Sequence, residues 1–439
     1  MSATPRTPLS QLADEIASNA AILADYIKAN ELPQPSFDVD GPLQFIPTDD
    51  EKASAARTAL IDASRALHTL AVGPKETTRY FCYNELYLLG AMQVLCHFSV
   101  PQNVPTEGGI GVSELALKTG LSESLLPRFL RMAAANFYFV EREPGVFAHT
   151  AWSKTLAMDE NMRACVWFRY AEMLPTVAKF VDMVEAYPNS AEPQDTAFHL
   201  AFGDTFFGFK EKHPDNMLRF GQFIKAFSEG DAQDSAESVA HAYAWEKLPQ
   251  GSLVVDVGGG IGHVSAAVAQ AHPHLRFQIQ DFGDLADEAA SFLKSRGVAD
   301  RVQFRAHNFF DAQPASEEGG VTVFFLRNIM HNWSDAYCRR ILKPIVAAMG
   351  PESRLLVCDI ILPSIEPDAA YPKAQETFVR AVDLTMQAFM NAKERAYDDW
   401  RQLFASVDGR LCITNVVGKP KLKRDGLIET RLVDMDLAN

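Results

Sequence analysis

The stretch Leu253-Val-Val-Asp-Val-Gly-Gly-Gly-Ile-Gly262 decides the fold of this chain. Its first five residues are mostly aliphatic and predict a buried strand, and the Ala- and Val-rich segment from His263 to Ala271 predicts a helix. The turn between them has glycines at alternate positions: Gly258, Gly260 and Gly262. Glycine adopts positive φ and lets a ligand approach the backbone, and a helix start offers free N–H groups and a positive dipole end. The pattern predicts a nucleotide-type binding turn at the carboxyl end of a parallel strand.

The spacing of this turn differs from that of a dinucleotide-binding turn. The dinucleotide fingerprint is G-x-G-x-x-G, whereas this chain has Asp-x-Gly-x-Gly-x-Gly. A carboxylate at Asp256 suits a ligand with an ammonium group better than a pyrophosphate. The next predicted strand ends at Asp281, about twenty residues after the turn, where an acidic side chain can accept hydrogen bonds from ribose hydroxyls. An ordinary glycine-rich turn of an α/β protein is the alternative interpretation.

The segment Asp256-Val-Gly-Gly-Gly-Ile-Gly262 resembles motif I of the class I S-adenosylmethionine-dependent methyltransferases. With its later motifs, the chain is similar to small-molecule O-methyltransferases of the plant caffeic-acid type over roughly residues 75–439. Its long N-terminal extension is most similar to that of the fungal secondary-metabolite members. The resemblance implies S-adenosylmethionine as cofactor, a phenolic or enolic, polyketide-like acceptor, and a homodimer.

The chain divides into three predicted parts. Residues 1–75 form a helical extension without recognisable chemistry, with one helix over 9–30 and a second from about Asp49 to Leu70. Residues 76–245 form a helical domain. The resemblance implies that it is a winged-helix dimerisation and substrate-lid domain. Residues 246–439 alternate strands and helices and form the cofactor-binding catalytic domain. The expected fold class is α/β: a Rossmann-like, doubly wound methyltransferase sheet with a mainly helical N-terminal domain.

The expected strands of the catalytic domain are apolar runs separated by helical segments. They are Leu253–Val257, Arg276–Gln280, Val302–Arg305, Val321–Leu326 and Arg354–Ile360, followed by a closing pair, Leu411–Val417 and Leu427–Val433, of which one strand is antiparallel.

A winged helix-turn-helix is predicted within the second part. A helix from Thr77 to Val100 precedes a helix–turn–helix over 111–132, in which Ser122 is the expected N-cap of the second helix. A hairpin over 136–150 then has Pro144-Gly145 at its tip. DNA binding is one interpretation of such a unit. It is disfavoured because the second helix has few cations and the chain is acidic.

Composition excludes several classes of function. The net charge of −15 argues against nucleic-acid and anionic-membrane partners. No apolar run approaches the length of a membrane span, and the segment after Met1 has no apolar signal region. No pair of histidine and acidic residues has metal-ligand spacing, so no metal site is expected. Six scattered cysteines without a C-x-x-C pair fit reduced thiols in a cytosolic protein. They are Cys82, Cys96, Cys165, Cys338, Cys358 and Cys412.

Three residues are the expected catalytic group. His331 follows the fourth strand of the sheet, where ligands bind in this architecture, and a neutral imidazole there can take a proton from a phenol during methyl transfer. A structural histidine is the alternative, but the H-x-W-S-D setting matches the catalytic motif of the family. The resemblance places two carboxylates, Asp359 and Glu394, beside this histidine. A carboxylate on the far ring nitrogen would fix the tautomer.

Further cofactor contacts are implied by the resemblance. Asp281 and Phe282 end the second strand, and Asn308 with Phe309 follows the third strand, where family members grip the adenine with an acidic and an apolar residue. An amide at Asn308 can still hydrogen-bond an exocyclic amine. Arg327 occupies a family position, often Lys, that contributes to cofactor binding, although its guanidinium could point at the acceptor instead.

The expected acceptor contacts are mainly apolar. Their spacing also fits plain core packing, which is the alternative for each aromatic or methionine. His149, after the wing, is expected either to pack within its domain or to face the active site, and Asn328 is a polar group expected near the acceptor. The full set is His149, Phe223, Phe227, Asn328, Met386, Phe389 and Met390.

The sequence therefore predicts an S-adenosylmethionine-dependent O-methyltransferase with His331 as the base. The alternative is a protein of the same fold that binds S-adenosylmethionine but catalyses dehydration or a pericyclic reaction without transferring a methyl group. In that case the sulfonium charge would stabilise developing charge.

Overall fold

The structure is a computed structural model that describes residues 7–45, 50–229, 236–314, 322–363, 371–418 and 425–433. The chain forms two compact units. The first, here called the helical unit, consists of residues 1–175, 213–226 and 366–378. The second, here called the sheet unit, consists of residues 176–212, 227–365 and 379–439. The division at residues 75 and 245 remains a sequence-based prediction.

Helices make up most of the first half of the chain and alternate with strands in the second half. The described helices are α1 (Pro8–Ala29), α2 (Glu51–Val72), α3 (Pro74–His97), α4 (Val100–Asn103), α5 (Val112–Thr119), α6 (Leu126–Ala134), α7 (Ala151–Met158), α8 (Glu160–Phe168), α9 (Leu174–Val177), α10 (Phe180–Ala186), α11 (Ala197–Phe202), α12 (Phe206–Lys212), α13 (Pro214–Glu229), α14 (Ala236–Ala242), α15 (His263–Ala271), α16 (Ala286–Ser295), α17 (Asp335–Ala348), α18 (Ala374–Met390) and α19 (Tyr397–Val407). A π-helical turn, Arg169–Met173, lies between α8 and α9.

The strands in the described part of the chain form two sheets. They are β1 (Ile110–Gly111), β2 (Val140–Glu143), β3 (Val146–Ala148), β4 (Leu253–Val257), β5 (Arg276–Asp281), β6 (Val302–Ala306), β7 (Thr322–Arg327), β8 (Arg354–Leu362), β9 (Arg395–Ala396), β10 (Leu411–Val417) and β11 (Asp425–Leu432). Among the described residues, short 3-10 turns at Trp245–Lys247, Gly283–Leu285 and Met330–Asn332 lie between these elements.

The first two helices have well-defined starts. The Thr7 side chain accepts the N–H of Ser10 at the start of α1. The Asp50 carboxylate accepts the N–H of Ala53, so α2 begins at Glu51. The predicted start of this helix, Asp49, lies outside the described residues. The helix ends at Val72, and its C-cap is Gly73, whose φ of 76° only glycine adopts readily.

The winged unit is confirmed, with one correction. The small sheet has the order β1-β3-β2, and its hairpin turns at Gly145. The prediction of Ser122 as the N-cap of the second helix was wrong. The Ser122 carbonyl accepts the N–H groups of Leu125 and Leu126 in a separate turn, and α6 begins at Leu126. Pro127 explains this start, because its fixed φ suits the first turn of a helix, where its missing N–H is no loss.

The sheet unit contains the predicted doubly wound sheet. Its strand order is β10-β11-β8-β7-β4-β5-β6, with β9 beside β8. Strands β4 to β8 run parallel to one another. In the closing pair, β11 is antiparallel to both β8 and β10, so one strand of the pair is antiparallel to the rest of the sheet, as expected. Of the predicted fourth strand, Val321 lies outside the described residues. The parallel strands therefore present their carboxyl ends at one edge of the sheet.

Both faces of this sheet are buried. Val254 of β4 packs in a core with Phe277 and Trp245 on one face. Val255 and Val257 pack in a second core on the other face. Since side chains alternate along a strand, Asp256 points to the same face as Val254, where helix α15 also packs.

Candidate active site

The glycine turn after β4 has the conformation that the sequence predicts. Gly258, Gly260 and Gly262 have φ values of 75°, 57° and 90°. A Cβ atom at Gly258 would lie 2.5 Å from Ile329 Cδ1, and one at Gly262 would lie 2.2 Å from Ile279 Cδ1. No atom of the described residues lies within 4 Å of a Cβ at Gly260. Side-chain packing therefore leaves no room for a Cβ atom at Gly258 or Gly262. The backbone of Gly260 faces open space that a ligand could enter.

Asp281 connects the end of β5 to this turn. Its Oδ2 atom accepts the N–H of Gly260 at 2.8 Å, and its Oδ1 atom accepts the N–H of Phe282 at 2.8 Å. A carboxylate has about four acceptor sites, so this one can also bind ribose hydroxyls. The Phe282 ring is 66% exposed beside it. The two residues thus lie next to the glycine turn, and their contacts with a cofactor remain predictions.

Asp256 is buried beneath the turn. Its carboxylate accepts a 2.6 Å hydrogen bond from the Ser265 hydroxyl of α15. A Cβ at Gly259 would lie 2.5 Å from Asp256 Cγ, so the carboxyl group packs directly under the turn. Burial raises the pKa of Asp256 to about 6, partly offset by the Ser265 hydrogen bond. This geometry supports a role in shaping the turn, and the predicted contact with a ligand ammonium group stays a prediction. Gly259 itself was missed, although it stands between two of the glycines noted in the sequence.

The loop after β6 brings Phe309 to the turn. Its Cε1 atom lies 4.0 Å from the Cβ position of Gly258, and its ring packs edge-on against Phe310. Asn308 is exposed, and its Oδ1 atom accepts the N–H of Phe310 at 3.0 Å. The side-chain oxygen of Asn308 therefore stabilises its own loop. A contact of Asn308 with adenine remains a prediction.

His331 and Glu394 form the central pair of the site. The Nδ1 atom of His331 lies 2.9 Å from Oε1 of Glu394, whose side chain is completely buried, whereas the His331 side chain is 15% exposed. A carboxylate only accepts hydrogen bonds, so in the neutral histidine Nδ1 carries the hydrogen and Nε2 is the basic nitrogen. The Glu394 N–H donates to Oδ1 of Asp383 at 2.8 Å, which fixes the glutamate in turn. Asp383 was missed because an isolated acid in a helix gives no signal of this contact.

The other predicted residues at this edge of the sheet lie on β7 and β8. Asn328 has a φ of 55°, and its N–H donates to the carbonyl of Cys358. Its own carbonyl accepts from Asn332 Nδ2 at 2.8 Å. Asp359 is buried on β8, and its charge helps to raise the pKa of Cys338 after the larger effect of burial. Burial raises the pKa of Asp256, and the Arg327 charge offsets a small part of this rise. The predicted contact of Asp359 with His331 and the predicted ligand contacts of Asn328 and Arg327 remain predictions.

The expected acceptor residues have different surroundings. Phe389 is buried, with its ring 5.2 Å from that of Phe198 and 5.5 Å from that of Phe206. These contacts favour the core alternative for Phe389. Met386 and Met390 lie on the same helix, α18, and are only partly buried.

The predicted contacts on α13 fall in different units. Phe223 belongs to the helical unit, where it stacks at 4.4 Å on Phe168. Phe227 belongs to the sheet unit and is 39% exposed. Their predicted shared role as walls of an acceptor pocket stays a prediction.

His149 is buried within the helical unit. Its Nδ1 atom lies 2.9 Å from Ser153 Oγ, and its Nε2 atom lies 3.1 Å from the Val104 carbonyl. Burial lowers the pKa of this histidine. Because both ring nitrogens have partners inside the unit, the geometry favours the packing alternative for His149.

In the described ranges, no group of three or more His, Cys, Asp or Glu residues is arranged to hold a metal ion. No described helix is both long and apolar enough to span a membrane.

The fold and the site together define a Rossmann-like methyltransferase with a winged helical region. The sequence model of the O-methyltransferase domain matches residues 181–409. The O-methyltransferase aurJ of Gibberella zeae is 35% identical over 92% of this chain and 93% of its own length. The chain belongs to this O-methyltransferase family.

Two solved structures have the same fold. OxaC in complex with SAH and oxaline superposes with a TM-score of 0.73 at 21% identity, covering 97% of this chain and 98% of its own. A structure described as "A Pericyclic Reaction enzyme" superposes with a TM-score of 0.70 at 18% identity, covering 96% of this chain and 100% of its own. At these identities the likeness shows the fold alone.

Proposed function

We propose that this O-methyltransferase transfers the methyl group of S-adenosylmethionine to a phenolic or enolic hydroxyl of a polyketide-like metabolite, with His331 as the general base. The observation that carries the proposal is the 2.9 Å hydrogen bond between His331 and the buried Glu394 at the carboxyl edge of the sheet. It leaves Nε2 as the basic nitrogen, which accepts the hydroxyl proton as the oxygen becomes nucleophilic.

The glycine turn supports S-adenosylmethionine as the cofactor, which supplies an electrophilic methyl group. The open backbone at Gly260 admits the ligand, the acceptor sites of Asp281 suit its ribose, and Phe309 beside Gly258 suits a flat base. The absence of a pyrophosphate fingerprint agrees with a ligand that has no phosphate. Of the site residues, Asp359 is proposed to assist Glu394 in orienting His331.

A homodimer is part of the proposal. Helix α3 exposes a group of large apolar side chains within the helical unit, and exposed groups of this kind are typical of protein interfaces. They are Tyr80, Phe81, Tyr83, Leu86 and Tyr87, each 45% to 73% exposed. A cytoplasmic location is proposed from the six cysteines, all of which are free thiols.

The alternative, a pericyclic reaction or dehydration without methyl transfer, keeps the same cofactor. The pair of His331 and Glu394 favours methyl transfer over a pericyclic reaction, because a concerted pericyclic step transfers no proton to a base. A dehydration can also use a base, and the release of S-adenosylhomocysteine distinguishes it from methyl transfer.

The test is His331→Ala, assayed with S-adenosylmethionine and the acceptor found by comparing metabolites of strains with and without the gene. Loss of a general base costs on the order of 10²–10⁴ in rate, so turnover should collapse while calorimetry still shows cofactor binding. His97→Ala on the exposed end of α3 is the control. The wild type should release S-adenosylhomocysteine in step with a product heavier by one methylene. Isomerisation or dehydration without S-adenosylhomocysteine would refute methyl transfer.

A further inference from the structure

Arg395 is a buried cation directly after Glu394, and the sequence pattern predicts no role for it. Its side chain is completely buried. It lies on β9, which pairs in parallel with the end of β8. A guanidinium stays charged in proteins, and burying it is tolerated only when its donors are matched by acceptors.

The Arg395 guanidinium is matched on all sides by the turn that carries His331. Its Nε and Nη2 atoms donate to Oδ1 of Asp335 at 2.9 and 2.8 Å. Its Nη1 atom donates to the Met330 carbonyl at 3.0 Å, and Nη2 donates to the Trp333 carbonyl at 2.9 Å. The two carbonyls lie on either side of His331 in the chain, so one planar group holds both flanks of the turn.

The same guanidinium is tied to the segment of Glu394. Nη1 also reaches the Lys393 carbonyl at 3.3 Å, and the group lies over the Trp400 ring, 5.2 Å from its centroid. Glu394 thus lies between Lys393, whose carbonyl accepts from Arg395, and Arg395 itself. The planar guanidinium of Arg395 therefore holds both the segment of the Glu394 carboxylate and the turn of the His331 imidazole.

We propose that Arg395 is a positioning residue, which sets the His331 turn against Glu394 so that the Nδ1–Oε1 hydrogen bond forms and Nε2 points to the acceptor hydroxyl. The inference rests on the proposed role of His331 as base. Lysine cannot replace arginine here, because one ammonium group cannot donate in plane to a carboxylate and to two separate carbonyls. A misplacement of about 1 Å in such a site can cost on the order of 10²-fold in rate.

The first experiment compares Arg395→Lys with Arg401→Lys. Arg401 is an exposed arginine of the same unit that pairs with Asp398 at 3.4 Å. Arg395→Lys should lower kcat about 10- to 100-fold and leave the acceptor KM and the S-adenosylmethionine affinity within about twofold, because the glycine turn is a separate segment. Arg401→Lys should match the wild type. Equal losses in kcat and cofactor affinity would instead indicate a general structural role and overturn the proposal.

The second experiment places Arg395→Lys in the His331→Ala background. A residue that acts through His331 has nothing left to position there, so the double variant should be as slow as His331→Ala alone. If Arg395→Lys lowers the residual rate by its full factor again, it does not act through His331. If His331→Ala itself is fully active, the proposed base is wrong, so the two failures are distinguishable.

A third variant guards against misfolding of Arg395→Lys. Asp335 is 38% exposed, and Asp335→Asn keeps an accepting oxygen for the guanidinium while removing the charge. It should fold, lower kcat about 3- to 10-fold without changing cofactor affinity, and show no effect in the His331→Ala background. An unchanged kcat in Asp335→Asn would contradict the proposal.

Discussion

The free energy of unfolding should fall as pH rises from about 4 to 6, and Asp256 should be a principal cause. Burial raises the pKa of this carboxyl from 3.8 to about 6. In this window the folded chain therefore holds a proton that the unfolded chain has released, and stability falls with increasing pH. A difference of about two pKa units at 1.36 kcal/mol each corresponds to about 3 kcal/mol. Two charges face this carboxyl: that of Asp281, which raises its pKa further, and that of Arg327, which lowers it.

Asp256→Asn should abolish this contribution. The amide is neutral at every pH, and its oxygen can still accept the Ser265 hydroxyl. At pH 7 the variant should be more stable than the wild type by up to about 3 kcal/mol, with the largest difference above pH 6 and none below pH 4. Denaturant titrations at pH 4, 5, 6 and 7 measure this, with Asp284→Asn, an exposed acid of the same unit, as the control.

The result that would refute this reasoning is a constant offset between the two proteins at all four pH values. The same variant tests the predicted ammonium contact, because loss of a ligand contact should weaken S-adenosylmethionine binding in calorimetry, whereas a carboxyl that only shapes the turn should leave the affinity nearly unchanged.

Three further predictions concern the turn, the dimer and the N-terminal extension. Gly260→Val should abolish S-adenosylmethionine binding in calorimetry. Gly297 of the same unit has a similar positive φ and open surroundings, so Gly297→Val should cause comparable strain and leave binding intact. Equal binding by both variants would contradict the assignment. Light scattering should give about twice 48.6 kDa for the full chain, and a monomer at micromolar concentration would count against the dimer. Asp62→Ala should destabilise the start of α18 by about 1 kcal/mol, because Asp62 Oδ1 accepts the Ala374 N–H at 2.7 Å. The expected result is faster hydrogen exchange at residues 374–378 in Asp62→Ala, while Asp62→Asn should retain the protection. Unchanged exchange in Asp62→Ala would disprove the cap.

Local pattern was enough to predict the sheet. The bounds of β4 and of α15 agree with the prediction because an apolar run, a set of glycines and an Ala-rich segment follow one another without ambiguity. The β5 strand extends one residue further, to Asp281. Ser122 shows the limit of such patterns. A serine before a helical segment fits an N-cap, but Pro127 decides where the helix begins.

Long-range polar contacts could not be predicted in the same way. The sequence placed Glu394 near His331 only through family resemblance, and it gave no sign that Asp383 holds the Glu394 N–H. Asp62 and Ala374 are 312 positions apart in the chain, yet one caps the helix that begins at the other. Hydrophobic periodicity reports which side of an element is buried, but it does not report which buried polar groups find each other.

The charged residues of the site are buried at a cost to stability, which is itself an argument about function. Asp256, Glu394 and Arg395 are each at most 3% exposed, and removing a charge from water without full compensation costs several kcal/mol. A sheet that served only to fold would be more stable with apolar residues at these positions. All three lie at the carboxyl edge of the sheet or on segments attached to it, where a parallel α/β fold binds its ligands. Their retention there is best explained by the need for a fixed turn and a fixed imidazole.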